Sequence, residues 1–176
     1  MNNTEYEIKI LDVPTDDALS KISKLGLIKH NEITFKRYIY EIDNQPGAWI
    51  RLRSDGLKST LAYKNFKKDS IDGMEEVEIS VDNIDDTNKL LEAIGFKATK
   101  YQENKRTLFT NDEIEISVDE WPRIPSYIEI EGKNQQVVEE YITKLGFNKH
   151  KKTSKPTSAI YEMNNLDIDS FKKLTF

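Results

Sequence analysis

Apolar and charged residues alternate strictly in several short stretches of the chain. Near its start, the segment EYEIKI (residues 5–10) places every charged side chain between two apolar ones or at the segment's end. Successive side chains of a strand point to opposite faces, so this pattern predicts strands with one apolar and one ionic face. Eight segments are predicted to be strands, and they cover residues 5–11, 35–42, 49–53, 59–66, 75–81, 101–109, 113–119 and 126–131.

Three further segments have the apolar spacing of amphipathic helices, and all three end in the same way. They cover residues 16–25, 85–94 and 135–145, and the residues that follow them are Gly26, Gly95 and Gly146. A glycine just after the last turn readily takes the left-handed conformation that ends a helix. The polar tail, residues 148–176, is predicted to be partly irregular with a short helix near residues 168–174.

Short turns rich in Asn, Asp, Gly and Pro separate most consecutive strands. Such turns predict an α+β fold, in which an antiparallel sheet or barrel has helices packed against its apolar face. No low-complexity linker interrupts the chain, so residues 1–176 are predicted to form one domain. The ionic face is solvated if the sheet stays open, and it lines an interior if the sheet closes.

Composition narrows the chemistry that the ionic face could perform. The 176 residues include 26 Lys and Arg, 31 Asp and Glu and no Cys, with a formal net charge of −5. The lack of cysteine excludes thiol nucleophiles and disulfides, and the lack of a basic excess argues against nucleic-acid binding. No apolar run reaches the roughly 18 residues of a membrane span, and the chain does not begin like a signal peptide. We therefore expect a cytoplasmic protein that binds neither nucleic acid nor membrane.

Charged residues share one face in most of the predicted strands, acids on some strands and bases on others, and they would need a common partner if those faces were buried together. Unpaired buried charges are costly. A polyphosphate with bound divalent cations would pair with both signs, because Lys and Arg grip phosphate oxygens while carboxylates are the hard ligands that magnesium and manganese prefer. The pattern by itself leaves such a site and an ordinary wet sheet surface as alternatives.

The order of short motifs along residues 3–147 resembles the CYTH superfamily of triphosphate tunnel metalloenzymes. The first motif is Glu5-x-Glu7-x-Lys9. The later ones are Arg51-x-Arg53 in WIRLR, Lys64 in LAYK, Glu76-x-Glu78 in EEVEISV, Lys105-Arg106 in NKRTLF, and Asp119 followed by Glu129-x-Glu131 in ISVDEWPRIPSYIEIEG. The resemblance implies a closed antiparallel eight-stranded β-barrel with helices outside, whose interior accepts a triphosphate.

The resemblance also implies a role for each motif residue. The substrate would be bound by Lys9, Arg51, Arg53, Lys64, Glu76, Glu78, Lys105 and Arg106. Mg²⁺ or Mn²⁺ would be bound by Glu5, Glu7, Asp119, Glu129 and Glu131. Of these residues, Glu5, Glu7, Lys9, Arg51, Arg53, Lys64 and Arg106 would form the catalytic set. Tyr127 shares a strand face with Glu129 and Glu131, which predicts a hydroxyl in the tunnel near the substrate.

Three functions fit such a site. The first is that of a class IV adenylyl cyclase, which converts ATP to cyclic AMP and pyrophosphate. The second is a triphosphatase that hydrolyses inorganic triphosphate, thiamine triphosphate or a nucleoside triphosphate. The third is a non-catalytic sensor of a phosphorylated ligand, against which the presence of all the metal-side carboxylates argues. Phosphoryl transfer depends mainly on positioning and charge neutralisation, so neither reaction requires a protein nucleophile.

One departure from the family pattern lies on the second predicted strand, and the resemblance adds an expectation about assembly. Lys36 and Arg37 stand before Tyr38, where many relatives have acidic or neutral residues. This basic pair either adds phosphate contacts or is solvated. The resemblance further suggests a homodimer.

Overall fold

The strands form a closed antiparallel barrel. The computed structural model describes residues 4–176, so residues 1–3 of the predicted domain lie outside the described range. The strands are β1 (Thr4–Ile10), β2 (Ile28–Lys29), β3 (Ile33–Glu41), β4 (Ala48–Ser54), β5 (Ser59–Phe66), β6 (Met74–Val81), β7 (Lys100–Thr110), β8 (Ile114–Glu120), β9 (Tyr127–Gly132), β10 (Lys152–Thr153) and β11 (Lys173–Leu174). The barrel order is β1-β6-β5-β4-β3-β7-β8-β9 and back to β1, which confirms the predicted eight-stranded barrel.

The barrel closes through β1, which has partners along both edges. Residues 6–10 pair with residues 128–132 of β9 along one edge. Only the first two residues of β1 pair with β6 along the other edge, and Lys9 and Ile10 pair there with β10 from the tail. A stagger of this kind is what tilted strands need to close a barrel. The tail therefore fills the part of the β1 edge that the stagger leaves free.

Four helices lie outside the barrel: α1 (Thr15–Ser23), α2 (Ile84–Ala93), α3 (Gln135–Lys144) and α4 (Thr157–Met163). Helices α1 and α3 cover the largest apolar cluster, which includes Ile8, Ile10, Ile22, Ile116, Ile130, Val138 and Phe147. Helix α2 packs Leu91 against Tyr40 and Leu52. The outer face of β6 is not covered in this way, and its side chains Val77 and Ile79 are 47% and 56% exposed. No helix in residues 4–176 is long and apolar enough to cross a bilayer.

Local capping residues account for the helix boundaries. Asn83 accepts hydrogen bonds from two backbone N–H groups at the start of α2, and Asn134 accepts one at the start of α3. These side chains satisfy donors that a helix leaves unpaired at its N-terminus. The glycines predicted to end helices, Gly26, Gly95 and Gly146, have φ values of 70°, 101° and 72°. Left-handed backbone at these positions confirms the predicted helix ends.

The tail differs from its prediction. The helix predicted near residues 168–174 is wrong: Ile168–Ser170 form a single 3-10 turn, β11 pairs with β7, and α4 occupies Thr157–Met163 instead. Helix α4 has only 7 residues, too few for a helical period to show in the sequence. Tertiary packing forms it, since Tyr161 is fully buried and its hydroxyl donates to the carbonyl of Pro122 at 2.6 Å.

Replacing Tyr161 by Ala is expected to lower the free energy of unfolding by about 3–5 kcal/mol, because it removes a buried ring and leaves the Pro122 carbonyl without its donor. Urea unfolding followed by circular dichroism measures the change. Glu162→Ala is the control, since the neighbouring side chain is exposed and a change within about 0.5 kcal/mol is expected. Equal effects of the two substitutions would contradict the docking of α4.

Candidate active site

The barrel interior is a charged tunnel. Its cavity has a volume of about 830 Å³ and is lined by inward-facing residues from all eight barrel strands. Most of the predicted site residues line this cavity: Glu5, Glu7, Lys9, Arg51, Arg53, Lys64, Glu76, Glu78, Arg106, Tyr127, Glu129 and Glu131. Their spacing of two along each strand turns them to the same side of the sheet, and closure of the barrel makes that side the interior.

Lys105 is not brought to the tunnel. It lies between two inward-facing residues of β7, so the alternation of the strand turns it to the outer face. Its ammonium nitrogen lies there 5.0 Å from the centre of the Phe176 ring. The predicted contact between Lys105 and the substrate is therefore corrected by the register of β7, and Arg106 is the inward member of the pair.

Asp119 is fully buried on the same face of β8 as Glu115, which lines the cavity. Both of its oxygens accept hydrogen bonds from Arg106, from Nε and from Nη2, each at 2.8 Å. Asn104 donates to one of these oxygens at 3.1 Å and Ser117 to the other at 2.9 Å. In this arrangement Asp119 orients the guanidinium of Arg106, and its role as a metal ligand stays a prediction.

One network of ion pairs joins β4, β5 and β6. Arg51 Nη2 lies 2.8 Å from Glu76 Oε1 and 2.8 Å from Glu78 Oε2. Arg53 Nη2 lies 3.2 Å from the same oxygen of Glu78, and Lys64 Nζ lies 2.9 Å from Glu76 Oε2. Charge-assisted hydrogen bonds of this length hold side chains in defined positions. The two arginines and the lysine are therefore held in place along the wall.

Glu5 extends this network and shares Lys64 with Glu76. Lys64 Nζ lies 3.0 Å from Glu5 Oε2. Burial, followed by the interaction with Glu76, raises the pKa of Glu5 to about 9 against the attraction of Lys64. Burial acts on Glu76 as well, but the hydrogen bond with Glu5 and the charge of Lys64 outweigh it and lower the pKa of Glu76 to about 2. The two carboxyl groups therefore hold one proton between them near neutral pH.

A second network joins β1, β9 and β7. Lys9 Nζ lies 2.8 Å from Glu7 Oε1 and 3.2 Å from Glu129 Oε2, and Arg106 Nη2 lies 2.8 Å from Glu129 Oε1. Burial disfavours the charged form of Lys9, but Glu7 and Glu129 outweigh it and raise its pKa. Burial likewise disfavours the Glu129 carboxylate, but Lys9 and Arg106 outweigh it and lower its pKa. Both groups are therefore ionised at neutral pH.

Glu131 differs from the other inward carboxylates in its surroundings. It is the cross-strand partner of Glu7 on β1 and of Glu115 on β8. Within residues 4–176, no Lys or Arg forms an ion pair with it, whereas Glu129 pairs with both Lys9 and Arg106. Burial, followed by the charges of Glu129 and Glu7, raises the pKa of Glu131 to about 7. A cation is the partner that this carboxylate lacks.

The donor set fits a divalent metal ion. In the part of the chain that the structure describes, no three acidic or histidine side chains are already gathered into a cation cage. Glu7, Glu129 and Glu131 nevertheless line the tunnel from adjacent strands, and carboxylate oxygens are the ligands that Mg²⁺ and Mn²⁺ prefer. A cation bound there would offset the repulsion that raises the pKa of Glu131, and it would compete with Lys9 for the other carboxylates.

Arg37 is an inward-facing cation that the motifs did not identify. The alternation of β3 places Lys36 on the exposed outer face and Arg37 in the tunnel, where only 8% of Arg37 is exposed. Its guanidinium carbon lies 4.8 Å from the centre of the Trp121 ring. The sequence left open whether this basic pair contacts phosphate or is solvated. In the structure, Arg37 faces the tunnel and Lys36 faces solvent. The alternation of side chains along β3 is the sequence feature that could have identified Arg37 as inward-facing.

The C-terminal tail forms part of one mouth of the tunnel. Lys100 Nζ lies 2.8 Å from Glu41 Oε1 and 2.7 Å from Asp169 Oδ1, which belongs to the 3-10 turn. The hydroxyls of Tyr127 and Thr157 are 3.0 Å apart and hydrogen bonded. The predicted hydroxyl of Tyr127 is thus in the tunnel lining but is engaged by the tail. No sequence motif indicated these contacts, because they join segments far apart in the chain.

Glu131→Gln is expected to stabilise the protein in alkaline solution but not in mildly acidic solution. The pKa of Glu131 rises from 4.5 to about 7 on folding, so the folded protein retains a proton that the unfolded chain releases. Stability therefore falls as the pH rises through this window, and a neutral glutamine removes that loss. We expect a gain on the order of 3 kcal/mol at about pH 8.

Urea unfolding in the presence of EDTA, at about pH 4.5 and about pH 8, measures this difference. Glu113→Gln is the control, because its side chain is 57% exposed. An equal response of the wild type and Glu131→Gln at both pH values would show that the Glu131 charge is not a buried one.

Known structures share this fold. The structure is similar to PH1012 from Pyrococcus horikoshii, with a TM-score of 0.71, 20% identity, and coverage of 82% of this chain and 92% of that chain. It is also similar to a candidate adenylate cyclase from Vibrio parahaemolyticus, with a TM-score of 0.62, 15% identity, and coverage of 82% of this chain and 86% of that chain. A third similar structure is HpAC1 from Hippeastrum, a candidate adenylyl cyclase with a dominant triphosphatase activity. Its TM-score is 0.60 and its identity 15%, with coverage of 95% of this chain and 98% of that chain. Identities this low show a common fold and no more.

The match to a protein family is more specific than these structural similarities. No curated protein matches the sequence. The CYTH domain family matches residues 3–159, which include every barrel strand and the ordered acidic and basic motifs that line the tunnel. The match covers most of the chain and agrees with the closed barrel. The chain therefore belongs to the CYTH domain family.

Proposed function

We propose that this protein is a metal-dependent enzyme that acts on a triphosphate substrate inside the tunnel. The observation that carries the proposal is the distribution of charge around the barrel. A cationic wall is formed by Arg37, Arg51, Arg53 and Lys64 on the adjacent strands β3, β4 and β5. An acidic wall is formed by Glu7, Glu115, Glu129 and Glu131 on the adjacent strands β1, β8 and β9. The strand order puts the two walls on opposite sides of one cavity.

A triphosphate with a bound metal ion has matching chemistry on both sides. Its phosphate oxygens suit the cationic wall, where guanidinium groups can donate two hydrogen bonds to one phosphoryl group. The metal suits the acidic wall, where Glu7, Glu129 and Glu131 would hold it; when bound, it supplies neutralisation of the charge on the phosphates and activation of the attacking oxygen.

Each side chain has a defined part in binding. Arg51 and Arg53 are held by Glu78, so their remaining N–H groups are aimed at the cavity before the substrate arrives. Arg106 is held in the same way by Asp119. Lys9 lies within the acidic wall between Glu7 and Glu129 and places a positive charge beside the metal position. This preorganisation is what phosphoryl transfer requires of a protein.

Cyclisation of ATP to cyclic AMP and pyrophosphate is the first reaction we propose. The ribose 3′-oxygen would attack the α-phosphorus, and the bond from that phosphorus to the bridging oxygen of the β-phosphoryl group would break. A specific feature that favours an organic substrate is Trp49, which lines the tunnel two residues before Arg51 and is half-buried. An indole at this position offers an apolar face on which a base can stack.

Hydrolysis of a triphosphate is the second candidate. The ionic character of the central tunnel favours it, because the Arg and Lys side chains there suit phosphate oxygens rather than a sugar or base. The triphosphatase activity of HpAC1, which has the same fold, also supports it. The two reactions share the tunnel and differ in whether the attacking oxygen comes from the ribose or from water.

Incubation with ATP and with inorganic triphosphate, each with Mg²⁺ or Mn²⁺, tests the proposal through its products. Cyclic AMP with pyrophosphate supports cyclisation, and orthophosphate supports hydrolysis. Binding of both compounds without turnover would favour the sensor instead. Glu7→Gln and Glu129→Gln are expected to lower turnover by about 100-fold or more, because each removes a carboxylate from the acidic wall.

Glu75→Gln is the matched control for these variants. Glu75 lies on the outer face of β6, where its side chain is 48% exposed and pairs with Lys67. We expect it to retain turnover close to that of the wild type. Full activity in both Glu7→Gln and Glu129→Gln, with the fold intact by circular dichroism, would refute the assignment of the acidic wall.

A further inference from the structure

Arg37 is the cation of the tunnel that lacks a negative partner. Within residues 4–176, every other Lys or Arg that lines the cavity forms at least one ion pair with a carboxylate, whereas Arg37 forms none. Its buried Nε also has no hydrogen-bond partner there. A buried guanidinium without a counter-ion costs free energy, and its bare N–H groups are available to a ligand.

Arg37 cannot escape to solvent from this position. Its Cα is paired with that of Arg53 on β4 and that of Gln102 on β7, so it lies in the middle of the sheet. Its guanidinium carbon lies 4.8 Å from the centre of the Trp121 ring, and Trp121 is itself only 4% exposed. Stacking on an aromatic face orients the plane of the guanidinium. Trp121 therefore acts as a positioning residue for Arg37.

Most of the charges near Arg37 repel it. Burial, followed by the charges of Arg51, Arg53 and Arg106, lowers the pKa of Arg37 well below the usual value of an arginine, against the smaller attraction of Asp119. Burial and the charge of Arg51 likewise lower the pKa of Arg53 to about 10. Four guanidinium groups thus surround one part of the cavity, and three of them are balanced by carboxylates. The fourth, Arg37, has no carboxylate within ion-pair distance among residues 4–176, so an anionic ligand would supply the direct partner it lacks.

The unpaired positive charge of Arg37 would favour one kind of phosphoryl group in a polyphosphate over another. A terminal phosphoryl group carries a charge of about −1.5 to −2 at pH 7, whereas an internal one carries about −1. The group with the larger charge gains more from an additional cation. We infer that Arg37 binds the terminal phosphoryl group of the substrate and makes the tunnel selective for polyphosphates with a free end. This inference rests on the proposed function, and it applies equally to ATP and to inorganic triphosphate.

A comparison of linear inorganic triphosphate with cyclic trimetaphosphate tests the inference, because the ring contains three phosphoryl groups but no terminal one. Isothermal titration calorimetry in EDTA measures anion binding without turnover. We expect the wild type to bind the linear compound more tightly. Arg37→Gln is expected to weaken binding of the linear compound about ten- to hundredfold, and binding of the cyclic compound less than about threefold. Arg37→Lys should recover part of the loss, since it keeps the charge.

The thermal stability of the ligand-free protein is a second readout. Because Arg37 is buried without a counter-ion, Arg37→Gln is expected to leave the Tm unchanged or to raise it, which a purely structural arginine would not do. Lys36→Gln is the matched control, since Lys36 precedes Arg37 in the chain and is exposed on the outer face. We expect this control to alter neither binding nor Tm.

The possible failures are distinguishable. If the wild type binds neither phosphate compound in EDTA but turns over ATP or inorganic triphosphate with Mg²⁺ or Mn²⁺, only the inference is overturned; if it neither binds nor turns them over, the proposed function falls and the inference falls with it. If the wild type binds linear triphosphate and Arg37→Gln binds it equally well, only the assignment of Arg37 is overturned. If Arg37→Gln lowers the Tm and weakens both compounds to the same degree, Arg37 has a structural role and the selectivity for a free end is overturned.

Discussion

Closure of the sheet through β1 is the constraint on which the rest of the structure depends. An open antiparallel sheet can leave its ionic face in water, but a closed one turns every second residue of each strand into a single interior. Charged side chains in that interior need partners, and the two ion-pair networks supply most of them. Closure thus converts a pattern that is common on protein surfaces into a densely charged tunnel.

The same ion pairs leave the tunnel receptive to a ligand. Because desolvation offsets much of the attraction within a buried pair, the net gain from each pair is small and partners can be exchanged at little cost. A phosphate oxygen can replace Glu78 at Arg51, and a metal ion can replace Lys9 at Glu129. A triphosphate and a metal ion that enter together would exchange partners with both networks at once. Arg37 and Glu131 have no ion-pair partner to exchange in the described structure, so they mark where the ligand's own charges are most needed.

The C-terminal tail contacts residues both at the mouth of the tunnel and beside its interior. Strand β10 completes an edge of β1, and Asp169 binds Lys100 at the mouth. Helix α4 packs Tyr161 edge-on against Trp121, with ring centres 6.4 Å apart, and Trp121 in turn contacts the guanidinium of Arg37. The tail therefore supports a cation of the substrate site through two aromatic contacts, although it contributes few charges of its own to the tunnel.

Patterns of short range in the chain were sufficient to predict the eight barrel strands, the glycines that end α1, α2 and α3, and the inward faces of the motif residues. Alternation and capping depend on neighbours within a few positions, which is why the sequence alone determined them. It did not determine helix α4, because tertiary contacts of Tyr161 form that helix. Nor did it determine which charges find partners: Asp119 is engaged by Arg106, Lys105 lies near the Phe176 ring, and Arg37 forms no ion pair among the described residues. Those outcomes depend on which strands become neighbours and how deeply each side chain is buried, and only the closed barrel decides both.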